Sequence, residues 1–220
     1  MNVILAIDTS TANGRISVLS ENNLLFNEVF TSERSHNSKI FSPLKEALST
    51  CNHAPSLIVV GTGPGSYTGI RIGIAAGLGL SMALNVPIIG IPSICGAESI
   101  NPNSPYHVIG DARRESWYIA KIKGHQIVSG PDLFESVQSI NGKIETAKER
   151  ILSFDKSSSF PGIEKTNTCT KKLAQIAANL PDKEINELRS IPPEPIYLRA
   201  PFITKPKKIF QNVTKPHGKS

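Results

Sequence analysis

The spacing of apolar positions changes several times along the chain. NVILAIDTS (2–10) is an apolar run that closes on Asp8, TANG is a turn and RISVLS alternates. ENN is a second turn and LLFNEVF a third strand, so the chain opens as a meander. The period then lengthens. In SHNSKIFSPLKEALST, Ile40, Leu44, Ala47 and Leu48 share one side, which predicts a helix with Pro43 in its first turn. SLIVVGT reads as a buried strand, Gly69 to Leu84 as an apolar helix and VPIIGI as a further strand, with a new helix start at Pro92 or Ser93. Strands and helices alternating in this way predict a layered α/β domain.

NPNSP (101–105) has the composition of a linker, and the pattern restarts beyond it. YHVIGDARRESWYIAKIKG is again strand, turn, strand. Asp8 and Asp111 each close an apolar strand, and each has an isoleucine eight residues on, Ile16 and Ile119. A twofold repeat of this unit is what a duplicated nucleotide-binding architecture produces. The remainder is sparser: a helical stretch GKIETAKERIL, a serine-rich turn, a short strand near SSFPGI, the amphipathic helix TKKLAQIAANL and the extended PPEPIYLR. The predicted organisation is a first lobe over 1–102, a smaller and truncated second lobe over 103–200, and a flexible basic tail over 201–220.

Composition changes this picture little. A chain of 220 residues and 23.8 kDa holds a proper core without disulfide staples, and Cys51, Cys95 and Cys169 follow no metal-ligand or CxxC spacing. The net charge of +6 is uneven: residues 1–100 carry 5 basic and 6 acidic groups, 101–200 carry 14 and 12, and 201–220 carry 5 and 0. The tail therefore holds most of the excess, either as a solubilising extension or as a brush against RNA. Ile72 to Ala97 contains no charge, but Asn85, Pro87 and Pro92 interrupt it, which suits a helix, a buried strand and a new helix better than a membrane span. With no basic leader before Asp8, a cytoplasmic protein is expected.

Two chemistries fit the first strand end. Asp8, Thr9 and Ser10 present a carboxylate and hydroxyls that suit a hydrated cation and phosphate oxygens, or they close a hairpin as an Asx turn. The loop GTGPGSYTG adds Gly63, Gly65 and Ser66, whose amides precede a helix and suit an anion. It has no Walker lysine and does not match GxGxxG. Asp8, Thr9, Ser10, Gly63, Gly65 and Ser66 are thus the candidate nucleotide or anion residues. Arg113 and Arg114 suit either an anion or a solvated turn.

In the helix that follows, Gly69, Gly73 and Gly77 recur every four residues. Glycine costs about 1 kcal/mol per helix-interior position relative to alanine, so close packing must compensate. The stripe packs either inside its own domain or, with Ile70, Ala76 and Leu80, against a helix of another subunit. Catalytic groups are scarce. His36 has Ile40 where a paired metal ligand would stand, Ser66 has no identifiable base, and neither a metal site nor a catalytic residue is predicted.

ILAIDTS, RSH, GPGSYTGIRIG, VPIIGI with PS after it, DARRESWY and PIYLR, in this order from about Ile4 to Arg199, resemble the bacterial TsaB (YeaZ) family. The resemblance implies an actin/Hsp70-like (ASKHA) two-lobed α/β fold with a reduced second lobe. It implies a role in making N6-threonylcarbamoyladenosine at position 37 of tRNAs reading codons that start with A. In that family the protein is a noncatalytic paralogue of TsaD, which it activates. It pairs with TsaD or with itself through helices of the first lobe, and the ATPase TsaE joins the assembly, so tRNA is met indirectly. The turn Ala112 to Glu115 has no glycine, and weak ATP or ADP binding, in the cleft or at the partner interface, or none at all, is expected. The alternative is an enzyme in its own right, a nucleotide-dependent transferase or a glycoprotease-like metallopeptidase.

Overall fold

The first strand, β1 (Val3–Asp8), is apolar from Val3 to Ile7 because both of its faces are covered. Ile4 and Ala6 enter one core cluster while Leu5 and Ile7 enter another on the opposite face. β2 (Asn13–Ser20) and β3 (Asn23–Thr31) pair with it as an antiparallel meander, with Ile7 opposite Ile16. Helix α1 (Phe41–Thr50) leads to β4 (Leu57–Gly61), helix α2 (Tyr67–Leu84) to β5 (Ile88–Ile91), and both strands add in parallel to give the order β3-β2-β1-β4-β5. These assignments come from a computed structural model, which describes residues 2–31, 39–51, 53–99, 104–155, 160 and 163–199. The helix start expected at Pro92 or Ser93 is a single 3-10 turn, Ser93–Cys95.

The second sheet repeats this topology. β6 (Tyr106–Arg113), β7 (Ser116–Lys123) and β8 (Gln126–Phe134) form the meander, and β9 (Ile151–Ser153) and β10 (Glu164–Lys165) add in parallel, giving β10-β9-β6-β7-β8. Helix α3 (Val137–Thr146) stands where α1 stands in the first half. The reduction of this lobe lies in strand length and in the crossover from β9 to β10, whose described residues hold no helix. Among the described residues the strand number is the same in both sheets. The repeat signalled by Asp8 and Asp111 is therefore a repeat of whole sheets.

One further element differs from the sequence expectation. GKIETAKERIL is helical only to Thr146; Ile151 and Leu152 instead extend beside His107 and Val108 of β6, where sheet pairing outweighs helix propensity. Helix α4 (Thr170–Ala178) matches the amphipathic pattern, but it packs on β1, β2 and β4 of the first sheet. Leu173, Ala174 and Ala177 thus join residues of both sheets, such as Ala6, Val59, Val108 and Tyr118, in one core. A further helix, α5 (Asp182–Arg189), packs against β5.

Helix α2 approaches the first sheet through its glycines. A Cβ at Gly69 would run into the Thr9 carbonyl oxygen, one at Gly73 into Thr9 Oγ1, and one at Gly77 would lie 2.5 Å from Val60 Cγ1 and 3.0 Å from Ile88 Cδ1. The stripe is thus filled by the chain's own β1–β2 turn, β4 and β5. Gly79, on the other side of the helix, has nothing within 4 Å. Gly69→Ala is expected to lower unfolding stability by about 2 kcal/mol or more, because a backbone oxygen must move. Gly79→Ala is expected to raise it by up to about 1 kcal/mol through helix propensity. Urea denaturation of both variants measures the contrast.

Candidate functional site

The two sheets face each other across a cleft of about 1040 Å³, lined on one side by the β1–β2 turn, Ser10 to Asn13, and on the other by the β6–β7 turn, Asp111 to Arg114. Each turn is closed in the same way. Asp8 Oδ1 accepts from the Ser10 amide at 2.7 Å, and Asp111 Oδ1 accepts from the Arg113 amide at 2.6 Å. These are Asx turns, in which a carboxylate satisfies the amide two residues on. Asp8 Oδ1 also accepts from Ser93 Oγ at 3.3 Å, and Asp111 Oδ2 meets the Arg113 guanidinium at 3.3 Å.

Asp8 is fully buried, and burial pushes its carboxyl above the ordinary value against the opposing hydrogen bonds from Ser10 and Ser93. Its carboxyl carbon lies so close to Gly61 that a Cβ there would stand 2.7 Å from it. Asp8 Oδ2 and Ser10 Oγ are enclosed with no hydrogen-bond partner among the described residues. Across the cleft, Asp155 Oδ2 accepts from the Asp111 amide at 2.6 Å. Burial, and secondarily the Asp111 charge, raise the Asp155 pKa.

The glycine loop is also directed inward. Gly63 N donates to Ser93 Oγ at 2.9 Å, Ser66 N to the Ser10 carbonyl at 2.7 Å, and Gly69 N to Ser66 Oγ at 3.2 Å. Ser66 thereby caps α2, and Thr9 Oγ1 donates to the Gly69 carbonyl at 2.6 Å. The candidate anion residues Asp8, Thr9, Ser10, Gly63, Gly65 and Ser66 are therefore brought together, but as a joint: the backbone donors of Ser10, Gly63 and Ser66 serve the chain itself. Gly65 packs against the Ser10 carbonyl. The second turn holds Arg113, Arg114 and Glu115 at φ 65, 55 and 57°, a left-handed run without glycine.

Of the residues expected at a partner interface, Gly69, Ile70, Gly73 and Gly77 are buried within the lobe, and Ala76 and Leu80 are half-buried at its margin. The surface that α2 turns outward consists instead of Arg71, Ala75, Gly79, Met82 and Ala83. Met82 is 83% exposed. Helical periodicity identified a stripe of small residues and could not say which side of the helix met the sheet. Among the described residues α2 is also the one helix long and apolar enough to cross a membrane by length and composition. Its inner face packs on β1, β4 and β5.

The sequence also gave no sign of a strap across the cleft mouth. Ile196 N donates to the Thr62 carbonyl at 2.8 Å in the first lobe, and Arg199 Nη2 to Ser116 Oγ at 2.8 Å in the second. Between them the Tyr197 ring lies 5.1 Å from that of Tyr67, and Arg71 Nε donates to the Tyr197 hydroxyl at 2.8 Å. His36 and the tail lie outside the described residues. Among those described, no three His, Cys, Asp or Glu side chains gather where they would hold a metal.

Two lobes of one strand order facing a common cleft, the second reduced, define the actin/Hsp70-like (ASKHA) class. The family model described as "TsaD: tRNA N6-adenosine threonylcarbamoyltransferase" matches residues 25–208. The chain belongs to this family, in its TsaB (YeaZ) branch. It is 34% identical over 123 residues to the tRNA threonylcarbamoyladenosine biosynthesis protein TsaB of Bacillus subtilis, covering 52% of each protein. Against the TsaB of Escherichia coli it is 35% identical over 95 residues, 41% of this chain and 40% of that protein. The matches thus span about half the length of these relatives or less. The fold of YeaZ from Pseudomonas aeruginosa superimposes with a TM-score of 0.68 at 18% identity, covering 90% of this chain and all of that one.

Asp8→Asn tests the enclosed carboxylate. The unfolded chain ionises Asp8 near its ordinary value, and the folded chain resists ionisation to higher pH. The resulting penalty is absent below the unfolded pKa, grows as pH rises above it, and levels off once pH has passed the folded pKa. The variant should therefore gain stability relative to the parent as pH rises above the ordinary carboxylate range in urea titrations. A gap that opens toward acid pH instead would mean that the native carboxylate is stabilised.

Proposed function

We propose that this chain is a noncatalytic partner in the N6-threonylcarbamoyladenosine modification of tRNA, docking a TsaD-like transferase through the outward face of α2. The observation that carries this reading is the asymmetry of that helix. One face is packed without space for a methyl group, while Ala75, Gly79, Met82 and Ala83 form an apolar surface with no cover among the described residues. A contiguous apolar helix face of this kind is the usual mark of a protein–protein contact. Family membership supplies the tRNA-modification context, and TsaB is the printed name of relatives matched over about half their length.

The cleft supports the noncatalytic side of the reading. Both turn aspartates are engaged in closing their own hairpins, and the loop amides at Gly63 and Ser66 already have acceptors. The contribution to the reaction is then a surface that orders or activates the transferase, and the chemistry resides in the partner.

Met82→Asp places a charge in the middle of the face and, at an exposed position, leaves the fold intact. It is expected to abolish co-elution with the TsaD-like paralogue in size-exclusion chromatography and to reduce tRNA modification in a reconstituted assay to the level without this chain. Undiminished co-elution and modification would overturn the docking assignment.

A further inference from the structure

Helix α2 carries a single charged residue along its eighteen positions, Arg71, and it stands on the outward face one turn from Ala75. Its side chain is held from two sides. The guanidinium lies 4.4 Å from the Tyr67 ring centroid and 5.7 Å from that of Tyr197, while Nε donates to the Tyr197 hydroxyl at 2.8 Å. Tyr67 is anchored in the helix itself and Tyr197 in the strap that bonds to Thr62 and Ser116. No carboxylate among the described residues lies within ion-pair distance of Arg71.

This arrangement has a physical cost. A cation near the start of a helix opposes the helix dipole, and an arginine immobilised on two rings loses rotamer entropy without forming an ion pair. The same arrangement lowers the cost of a later pairing, because the planar fork is already oriented when a carboxylate arrives.

We propose that Arg71 is the specificity-determining residue of the α2 face: it receives a carboxylate presented by a protein partner and so favours an acidic, heterologous partner over a second copy of this chain. The proposal rests on the docking reading above and adds the chemistry of what docks. Charge complementarity chooses the occupant. In a twofold pairing of identical faces each α2 meets another α2, which has no acidic residue, and two guanidiniums enter an apolar contact without counter-charge. A different chain with an apolar helix and one carboxylate opposite Arg71 meets neither penalty. Tyr197 acts as a positioning residue, because its hydroxyl sets the direction of the fork.

The test measures affinity for the TsaD-like paralogue by isothermal titration at two salt concentrations, and self-association by analytical ultracentrifugation. Arg71→Met keeps the apolar stem and removes the charge. It is expected to weaken heterodimer formation about tenfold, with a flatter salt dependence, while self-association stays unchanged or tightens. Tyr197→Phe keeps the ring stack, drops the acceptor, and gives a smaller loss in the same direction. Heterodimer affinity within about twofold of the parent for Arg71→Met, or a loss of self-association in that variant, overturns the proposal. Met82→Asp separates the two levels. If it abolishes binding while Arg71→Met does not, the docking face stands and the arginine assignment alone falls; if neither affects binding, the docking reading falls as well.

Discussion

The backbone of α2 meets the backbone of the β1–β2 turn at Gly69, where no side-chain atom fits between the helix and the Thr9 carbonyl. The rest of the first lobe depends on that contact. It brings Thr9 Oγ1 to the Gly69 carbonyl and the Ser66 amide to the Ser10 carbonyl, so turn and helix cap are locked together. It also sets the rotation of α2. With Gly73 and Gly77 seated on Thr9, Val60 and Ile88, the small and apolar residues on the far side face outward. A contact made for internal packing thereby creates an external surface.

The duplicated sheets show which parts of the architecture are retained and which have changed role. Strand order and turn closure are the same in both halves, down to an aspartate accepting from the amide two residues on. In one half that aspartate is sealed beneath Gly61 and Ser93; in the other it pairs with Arg113. The lobes are then tied by α4, whose leucine and alanines complete a core shared with both sheets, and by the strap ending at Arg199. The cleft persists as geometry, and each of its turn carboxylates accepts a hydrogen bond from its own turn.

Much of this was legible in the sequence. The meander, the apolar β4, helix α2 and the Asp8/Asp111 repeat all follow from periodicity, because each run is long enough to express its period. The misreadings have separate physical causes. β8 carries Gly130 and Pro131 and alternates poorly, and α5 offers only Ile185 and Leu188 to a core, so neither announces itself. Ile151 and Leu152 look helical until their pairing with β6 is known. The glycine stripe was found but its facing was not, since a period fixes which residues share a side and leaves open what that side touches. The strap across the cleft mouth joins residues far apart in sequence, such as Arg71 and Tyr197, and no local pattern encodes it.

The central claim is that the outward face of α2 is the surface the chain offers to its partner. Amide hydrogen exchange of this chain, alone and with the TsaD-like paralogue, tests it most directly. The account predicts new protection concentrated in peptides spanning Arg71 to Ala83, with the β6–β7 turn and the cleft unchanged. Protection centred on the cleft turns, with α2 exchanging as in the free chain, would contradict it.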